Sequence, residues 1–321
     1  MSHAVLLIGL GQVAVGYDLD TPRDDAVLTH ARAFAEHPAF RLVGGVDPSE
    51  EHRARFAARY GVPAFAAPAD ALAQTEPDVV VIAAPTRHHG ELVRMSVDHA
   101  APRVILCEKP LSYDLAEARA MVGLCAARGC GLYVNYLRRV APGVRKVKQR
   151  LDAGQIATPV KGVAWYGKGL LHNGSHFVNL LEYWLGPIQG FEVFRKGRSC
   201  GDADSEPDVR IEFAAGSVMI LATQNETFSL HEIDLVATNG RLRYTQGGSR
   251  IVWHSAVADP VFPGYVALAD PGEEIPSGSL VTQWHVADQI AASLVGTPTD
   301  LCSGADALAT LEWLMKVRAA L

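Results

Sequence analysis

The sequence of 321 residues is longer than one hydrophobic core usually requires, so it predicts two domains or one large α/β unit. Hydrophobic residues make up 49% of the chain and charged residues 20%, which argues against a disordered or fibrous protein. The formal net charge of -6 argues against nucleic acid as a partner, because binding phosphates requires a basic surface.

The first apolar run, AVLLIGLG at 4–11, is short and lacks a basic leader, so it predicts a buried strand rather than a signal peptide. No later run is long enough to cross a bilayer, and we expect no membrane partner. The five cysteines are odd in number and scattered, without a CxxC pair: Cys107, Cys125, Cys130, Cys200 and Cys302. This pattern favours reduced thiols in a cytoplasmic compartment over a disulfide framework or a zinc site.

The first third of the chain alternates apolar runs with amphipathic segments. Strands are predicted over 4–11, 41–47, 78–85, 103–110 and 131–136. Helices are predicted over 30–37, 50–60, 90–99 and 115–128. Such alternation is typical of a parallel sheet covered by helices on both faces. Residues 1–134 are therefore predicted to form a doubly wound, dinucleotide-binding Rossmann domain.

From about residue 160 onward, strands follow one another directly, separated by turn pairs such as Asn239-Gly240 and Gly247-Gly248. Consecutive strands with tight turns predict an antiparallel sheet. Helical periodicity returns over 283–295 and 304–321. Residues 135–321 are therefore predicted to form an α+β domain with a large, mostly antiparallel open sheet, and its last helices have the option of packing back on the first domain.

The loop after the first strand has the pattern G-x-G-x-x-A, in which glycines let backbone amides approach a pyrophosphate. Gly9, Gly11, Gln12 and Val13 are the predicted cofactor-binding residues of this loop. The second strand ends in Asp47, followed by Pro48. A carboxylate there accepts hydrogen bonds from both ribose hydroxyls and repels a 2′-phosphate, which predicts NAD rather than NADP. The alternative is that Asp47 only caps the next helix.

The distance from the loop to this carboxylate is unusual. Asp47 follows Gly9 by 47 − 9 = 38 residues, whereas the usual spacing is about 20. The excess comes from the polar, turn-rich segment 17–29. We expect this segment to fold over the cofactor or substrate mouth, with a solvated surface loop as the alternative.

Two further motifs follow buried strands: APTRHH at 84–89 and CEKP at 107–110. Open α/β sheets bind ligands at the carboxyl ends of their strands, so these motifs point to the same edge as the glycine loop. A single lysine there, Lys109, has the simpler option of reaching water or pairing with Glu108.

With these motifs in order, followed by VNYLRRVAP at 134–142 and GLLHNGSHFVNLLEYWLG at 169–186, nearly the whole chain resembles the Gfo/Idh/MocA family of glucose-fructose oxidoreductases and inositol dehydrogenases. The resemblance implies a Rossmann domain joined to an open antiparallel α/β domain whose sheet serves in assembly, as a homodimer or homotetramer. It also implies a nicotinamide cofactor and a polyhydroxylated substrate, oxidised or reduced at a secondary alcohol or ketone.

The resemblance also assigns residues. It implies that Lys109 contacts the nicotinamide end and the reacting oxygen, and that Pro110, whose peptide bond is often cis in the family, shapes the turn. Further cofactor contacts are implied at Ala84, Pro85, Thr86, His89 and Glu108. His176 matches the family histidine at a helix start. The family has D-x-G-x-H there, and His172 stands where the aspartate is usual.

The chemistry agrees with these groups. When a hydride leaves a carbinol carbon, the hydroxyl proton must also leave, so a base within about 3 Å is needed. Imidazole suits this task near neutral pH. Our hypothesis is that His176 is the acid/base, that His172 orients the substrate or relays the proton, and that Lys109 stabilises negative charge on the oxygen.

Two alternatives for the histidine pair stay open at this point. A metal between imidazoles four residues apart is one, but Asn173 replaces the glutamate of H-E-x-x-H and no third ligand is evident, so we predict none. The other is that both rings only cap and pack a helix. Its buried stripe is predicted to be Phe177, Leu180, Leu181, Trp184 and Leu185.

The remaining polar residues of these motifs are candidates for substrate contacts. The predicted set is Tyr136, Arg138, Tyr166, Lys168, His172, Asn173 and His176. A guanidinium such as that of Arg138 can fork onto a carboxylate or diphosphate, although a surface salt bridge explains it equally well.

Three functions remain in competition. The first is an NAD-dependent oxidoreductase acting on a sugar, nucleotide-sugar or cyclitol. The second is a redox-neutral lyase or hydrolase that oxidises its substrate transiently, which net NADH release would separate from the first. The third is a non-catalytic NAD-binding sensor, against which the presence of both Lys109 and His176 argues.

Overall fold

The computed structural model describes residues 2–201, 204–224 and 227–321. Its strands are β1 (His3–Ile8), β2 (Phe40–Val46), β3 (Ala64–Phe65), β4 (Val79–Ile82), β5 (Val104–Cys107), β6 (Gly131–Val134), β7 (Val160–Tyr166), β8 (Ile188–Arg195), β9 (Ser199–Cys200), β10 (Asp204–Ser205), β11 (Asp208–Phe213), β12 (Gly216–Ala222), β13 (Glu232–Ala237), β14 (Gly240–Thr245), β15 (Arg250–Ala258), β16 (Val266–Leu268), β17 (Glu273–Ile275) and β18 (Cys302–Ser303). Its helices are α1 (Tyr17–Asp20), α2 (His30–Glu36), α3 (Glu50–Tyr60), α4 (Pro68–Thr75), α5 (His89–His99), α6 (Leu115–Ala127), α7 (Pro142–Asp152), α8 (Ser175–Leu185), α9 (Thr282–Leu294) and α10 (Gly304–Ala319).

The chain divides into two compact units. The first contains Met1–Val140 and Leu280–Ala309, and the second contains Ala141–Ser279 and Thr310–Leu321. The first unit therefore ends at Val140 rather than at residue 134, and it includes α9. The reason is packing, because Val140 belongs to the same buried cluster as Val286 and Ile290 of α9.

The sheet of the first unit has the strand order β18-β6-β5-β4-β1-β2-β3. All neighbours are parallel except β18, which runs antiparallel to β6. The apolar runs VVVI of β4 and VILC of β5 are buried at every position, as strands covered on both faces must be. The predicted doubly wound parallel sheet is confirmed. The short elements β3 and α4 were not predicted.

Strand register brings five strand ends to one edge of this sheet. Ile8 lies beside Val46 on one side and Ile82 on the other. Cys107 lies beside Ile82 and Val134. The residues that follow these strand ends therefore lie along the same carboxyl edge, where doubly wound sheets bind ligands. They are Gly9, Asp47, Ala83, Glu108 and Asn135.

The large sheet of the second unit has the order β16-β15-β14-β13-β7-β12-β11-β8, with β17 paired to β15. Its neighbours are antiparallel except β12 and β7, which run parallel. Alternate residues of β13 and β14 are buried, so one face of the sheet is covered and the other is open. The predicted mostly antiparallel open sheet is confirmed.

Helix α8 lies on the covered side of this unit. Its predicted buried stripe is confirmed, since all five residues are at most 2% exposed: Phe177, Leu180, Leu181, Trp184 and Leu185. The indole Nε1 of Trp184 donates to the carbonyl of Val144 in α7 at 3.1 Å. Within the described part of the chain, no helix combines the length and apolarity needed to cross a membrane.

Candidate functional site

The glycine loop at the end of β1 needs its first glycine for space. Gly9 has a φ of +93°, and a Cβ there would lie 2.6 Å from the carbonyl carbon of Ala83. Its N–H donates to the carbonyl of Val46 at 2.8 Å. Only glycine fits this crossing of three strand ends. At Gly11, by contrast, a Cβ would meet nothing within 4 Å, so the loop is open on that side.

The loop continues into a π-helical turn at Gln12–Gly16, which leads into α1. The N–H groups of Val15 and Gly16 donate to the carbonyl of Gly11. The first amides of a helical turn, here those of Gln12 and Val13, have no acceptor within the turn and attract an anion. Val13 is 36% exposed, so this turn lies at the surface of the unit.

Asp47 ties the end of β2 to the glycine loop. One carboxylate oxygen accepts the N–H of Leu10 at 2.8 Å, and the other accepts the N–H of Ser49 at 2.8 Å. Nδ1 of His52 lies 3.3 Å from the oxygen that accepts the N–H of Ser49. The oxygen that accepts the N–H of Leu10 keeps a further lone pair for a hydroxyl donor. The alternative of a helix cap belongs to Ser49 instead, whose hydroxyl accepts the N–H of His52 at the start of α3.

The segment 17–29 is anchored at both ends. The buried carboxylate of Asp18 accepts the N–H of Thr29 at 2.8 Å and its hydroxyl at 2.6 Å. The N–H of Val27 donates to the carbonyl of Leu280 at 2.9 Å. Because Ala26 and Val27 are buried, the interpretation as a freely solvated loop is wrong for the ends of this segment.

Helix α1, within this segment, lies against the glycine loop. The carboxylate of Asp20 accepts a hydrogen bond from Nε2 of Gln12 at 3.0 Å and pairs with the guanidinium of Arg55 in α3. The segment therefore holds Gln12 from the side. That it covers a cofactor or substrate stays a prediction.

Glu108, after β5, is the centre of a buried polar network. Its carboxylate contacts Nε2 of His30 at 2.8 Å and accepts from Nδ2 of Asn135 at 2.7 Å. Burial raises the pKa of Glu108, but the hydrogen bond and charge of His30, together with Asn135 and Lys109, outweigh it and hold this pKa below the usual value. Glu108 is therefore an ionised anchor for its strand end.

Lys109 follows this anchor and is joined to Pro110 by a cis peptide bond. Its side chain is half-buried, and burial is the main cause that lowers the pKa of Lys109. The charge of Glu108 opposes this shift, and the nearby guanidinium of Arg138 adds to it. Burial is thus a larger cause of the lowered pKa of Lys109 than the neighbouring cation.

His89 corrects the predicted set of cofactor contacts. Its ring is 0% exposed and therefore offers no surface to a ligand. Nε2 lies 3.0 Å from the carbonyl of Ala84, and Nδ1 lies 3.1 Å from that of Pro110 and 3.2 Å from that of Leu111. His89 therefore joins the two loops that carry APTRHH and CEKP, rather than facing a cofactor.

The other predicted residues of this edge vary in exposure. Pro48 and Pro85 are exposed, and Thr86 is half-buried at the start of a 3-10 turn. Tyr136, beyond β6, is buried, while Arg138 in the following turn is half-buried. The charge of Arg138 acts on Lys109, so this residue of the turn lies near the lysine.

In the second unit, Tyr166 corrects the predicted substrate contacts. It is 0% exposed, and its hydroxyl donates to the carbonyl of Pro207 at 2.7 Å. Burial, with smaller contributions from nearby carboxylates, raises the pKa of Tyr166 far above its usual value. The residue is part of the core because the inward positions of β7 alternate, and Tyr166 falls on one of them.

The loop that carries His172 is held by two carboxylates that were not predicted from the sequence. Glu206, 0% exposed, accepts the N–H groups of Lys168 at 2.5 Å and Gly169 at 3.4 Å. Asp204 of β10 accepts the N–H groups of Leu171 and His172, each at 3.0 Å. These carboxylates fix the backbone just before α8.

Gly169 explains why this brace fits so closely. Its φ is +90°, and a Cβ there would lie 2.0 Å from Oδ2 of Asp204. The preceding Lys168 also has a positive φ, of 62°, and its side chain is exposed. The only signal in the sequence was the acidic run 202–208, whose residues Asp202 and Ala203 lie outside the described part of the chain.

The two histidines of this loop have different surroundings. His172 is exposed in the π-helical turn Leu170–Gly174, whereas His176 is 8% exposed in the first turn of α8. Asn173 between them is half-buried. The N-cap position of α8 is Gly174, which has no side chain, so neither histidine occupies that position. That the two rings only cap and pack the helix stays an alternative. Among the residues that the structure describes, no cluster of three or more His, Cys, Asp or Glu is arranged to hold a metal ion.

Comparison with known proteins finds a family match for part of this chain. Residues 25–136 match the model of the GFO_IDH_MocA family, described as an oxidoreductase family with an NAD-binding Rossmann fold. The chain is 28% identical over 162 residues to scyllo-inositol 2-dehydrogenase (NAD(+)) of Bacillus subtilis (strain 168), covering 50% of this chain and 44% of that protein. It is 34% identical over 135 residues to inositol 2-dehydrogenase 1 of Saccharopolyspora erythraea, covering 41% and 40%. The chain thus spans less than half the length of these relatives.

Solved structures share the fold over the whole length. The WlbA dehydrogenase from Bordetella pertussis, in complex with NADH and UDP-GlcNAcA, is 20% identical with a TM-score of 0.74, covering 98% of this chain and 94% of that one. UDP-N-acetylglucosamine 3-dehydrogenase GnnA from Acidithiobacillus ferrooxidans is 18% identical with a TM-score of 0.79, covering 100% and 98%. At these identities the likeness establishes the fold alone.

Proposed function

We propose that this chain, whose residues 25–136 match the model of the Gfo/Idh/MocA family of oxidoreductases, is an NAD-dependent oxidoreductase. In this proposal it moves a hydride between nicotinamide and a secondary alcohol or ketone of a sugar, nucleotide-sugar or cyclitol. The observation that carries the proposal is the meeting of Gly9, Asp47 and the Glu108–Lys109 strand end at one carboxyl edge of the parallel sheet. That edge offers a close-packed glycine, open amides, a carboxylate and a half-buried ammonium.

Each of these groups suits one part of a dinucleotide. The open side of Gly11 and the first amides of the turn, at Gln12 and Val13, suit the pyrophosphate. The spare lone pair of Asp47 suits a ribose hydroxyl. The loop 84–86 is held by His89 and suits the part of the dinucleotide beyond the pyrophosphate and this ribose. When bound, the nicotinamide ring supplies the hydride acceptor or donor.

Lys109 acts on the oxygen of the reacting carbon in this proposal. In its cationic form the ammonium stabilises negative charge on that oxygen, an interaction that burial strengthens. Burial also lowers its pKa, which makes release of a proton easier near neutral pH. Glu108, fixed by His30 and Asn135, keeps the backbone of Lys109 in place.

His176 takes or returns the hydroxyl proton in this proposal. It is supported by the family resemblance of the 169–186 stretch and by the burial of the imidazole in the first turn of α8. His172, exposed and fixed through its own N–H by Asp204, orients the substrate. Lys168, Asn173 and Arg138 are the remaining proposed contacts to substrate hydroxyls or to an attached diphosphate.

The preference for NAD over NADP rests on Asp47. A 2′-phosphate would bring a second negative group to a carboxylate that already accepts two backbone N–H groups. The guanidinium at this strand end, that of Arg53, is already engaged, because it donates to the carbonyls of Asp47 and Pro48, each at 2.9 Å. We expect NADH to bind at least tenfold more tightly than NADPH, and Asp47→Ser to narrow that ratio. Equal affinities in the parent protein would contradict the preference.

We also propose a cytoplasmic homodimer or homotetramer that associates through the second unit. The open face of its sheet presents apolar side chains that alternate with buried ones, namely Trp165 and Val236, and the edge strand adds Phe194. The compartment is proposed from the sequence, whose five scattered cysteines include no CxxC pair. Sedimentation of the parent protein and of Trp165→Asp tests the assembly.

The function is tested by following NADH release with a panel of inositol isomers and UDP-sugars. We expect saturable turnover on at least one member, a 10²- to 10⁴-fold lower kcat for His176→Ala and Lys109→Ala, and an unchanged kcat for the exposed controls His99→Ala and Lys161→Ala. Substrate conversion without net NADH release would favour the redox-neutral alternative. NADH binding without turnover on any member would favour the sensor.

A further inference from the structure

Two thiols of the first unit, outside the proposed active site, form a contacting pair. Cys125 lies in the last turns of α6, and Cys130 immediately precedes β6. The turn between them closes with Gly129 at a φ of +66° and with the N–H of Cys130 donating to the carbonyl of Cys125 at 3.0 Å. The two side chains are hydrogen-bonded to each other. This helix-ending turn therefore places the two thiols side by side, and both line one cavity.

The pair lines a cavity of about 230 Å³. Its wall is mostly apolar and is made by α6, β6 and the start of α10: Val122, Cys125, Ala126, Cys130, Gly131, Leu132, Tyr133, Ser303, Gly304 and Ala305. Both thiols are buried with respect to bulk solvent, at 1% and 7% exposure, so this cavity is the route by which a small reagent reaches them.

We propose that Cys125 and Cys130 form a reversible disulfide by exchange with a low-molecular-weight disulfide that enters this cavity. The thiolate of Cys125 attacks one sulfur of the reagent, forming a mixed disulfide and expelling the other half as a thiolate. Cys130 then loses its proton and attacks the sulfur of Cys125, releasing the second half as a thiol. In total, two protein thiols are oxidised to one disulfide, and one reagent disulfide is reduced to two thiols.

The order of attack follows from the hydrogen bond. The bond from Cys130 stabilises the Cys125 thiolate and lowers the pKa of Cys125, whereas it raises the pKa of Cys130. Once Cys125 is held in the mixed disulfide, it no longer presents a negative sulfur to Cys130. The main obstacle to deprotonating Cys130 is then removed, so the second step follows the first.

The remaining cysteines differ from this pair. Burial raises the pKa of the Cys107 thiol well above its usual value, which makes it unreactive. Cys302 is buried in β18, and Cys200 lies in β9 of the second unit. The proposal is independent of the proposed dehydrogenase activity, because it concerns only thiol chemistry.

The test exposes the native full-length protein to oxidised glutathione, alkylates free thiols after denaturation and digests with trypsin. Cleavage after Arg128 separates the two cysteines into the peptides 120–128 and 129–138. We expect these peptides to be joined by a disulfide at least tenfold more often than in dithiothreitol-treated protein, and the free thiols to fall from the five of the sequence to three. Five free thiols under these conditions would overturn the proposal.

Single variants test the order of attack. Cys130→Ser is expected to accumulate glutathione on Cys125, because the second step is blocked. Cys125→Ser is expected to leave Cys130 at least tenfold less modified, and Cys200→Ser to behave like the parent protein. Equal modification of Cys125 and Cys130 in the two variants would overturn the assigned order, and a disulfide that involves Cys200 instead of the pair would overturn the site.

Discussion

The carboxyl edge of the first unit's sheet and the His172 loop of the second unit reach a defined shape by different means. At the edge, parallel register aligns five strand ends. Side chains such as Glu108 add hydrogen bonds between segments that the backbone already holds next to each other. In the loop, no strand register defines the path, and the backbone is held by the carboxylates of Asp204 and Glu206. Topology organises the first region, and side-chain braces organise the second.

The two regions also bury charge differently. Glu108 faces an ionisable partner, His30, and one amide, whereas Glu206 accepts two backbone N–H groups and the Nε of Arg198 at 2.7 Å. Loss of the first leaves buried side chains without their partner, and loss of the second leaves backbone amides of a loop without theirs. The first loss is expected to cost more, because a buried ionisable group remains.

The largest effect is therefore expected at Glu108. Its replacement by alanine leaves His30 and Asn135 buried without their shared acceptor, and we expect the free energy of unfolding to fall by about 3 to 5 kcal/mol. Glu108→Gln, which keeps the shape and one acceptor, is expected to cost about 1 to 3 kcal/mol. Urea unfolding followed by circular dichroism measures both, with the exposed Glu91→Ala as control. An alanine variant no less stable than this control would show that topology alone holds the edge.

A pair of glycine variants separates folding from binding at the same edge. Gly9→Ala forces a Cβ against the backbone of Ala83 at a positive φ, so we expect a loss of about 3 kcal/mol in unfolding free energy. Gly11→Ala has open space and an ordinary φ of -73°, so its stability should stay within about 0.5 kcal/mol. Its Cβ instead obstructs the phosphate, which should raise the Kd for NADH at least tenfold. Equal stability of the two variants would contradict the packing assigned to Gly9.

The brace of the second region is tested through Asp204. Removing its carboxylate in Asp204→Ala frees the N–H groups of Leu171 and His172, which we expect to cost about 1 to 2 kcal/mol. Faster amide hydrogen exchange over 168–173 should accompany it. Asp204→Asn keeps one acceptor oxygen and should lie between the parent and the alanine variant. Unchanged exchange over 168–173 in the alanine variant would show that the loop does not depend on this brace.

The smallest expected effect is the change in unfolding free energy at acidic pH that His89 causes. Burial holds the pKa of His89 below its usual 6.5 in the folded state. Between the folded and the unfolded pKa the unfolded chain binds more protons, so stability falls as the pH drops below about 6.5 and is unaffected by this group above it. One histidine contributes less than about 1.4 kcal/mol between pH 6.5 and 5.5. Urea unfolding at these two pH values should show a smaller decrease for His89→Asn than for the parent. An identical decrease would show that His89 titrates normally.

The difference between the regions also decides what the sequence can predict. Buried apolar runs such as VVVI and VILC predict parallel strands, and the carboxyl-edge rule then predicts where Asp47 and Lys109 lie, without knowledge of any side-chain contact. The network of Glu108 was not predicted, because His30 and Asn135 are distant in sequence and nothing in their neighbourhood pairs them. A buried carboxylate needs a hydrogen-bond partner, and this general rule was the only indication that Glu108 has one.

In the second unit the prediction failed where the side chain's direction mattered. Tyr166 was expected to contact a substrate, yet the alternation of β7 places it with the buried Val160 and Ala164. The braces at Asp204 and Glu206 lie more than thirty positions beyond the loop that they hold. No local pattern encodes such a contact, so the sequence suggested the histidines of this loop and not what fixes them.

Hydrogen–deuterium exchange with and without saturating NADH tests the central claim most directly, namely that a nicotinamide dinucleotide binds at the carboxyl edge of the parallel sheet. We expect slower exchange in 9–16, 47–49, 83–86 and 108–110, and no change in the strands β11 and β12 of the second unit. Protection confined to other segments, or no protection at saturating NADH, would contradict the account.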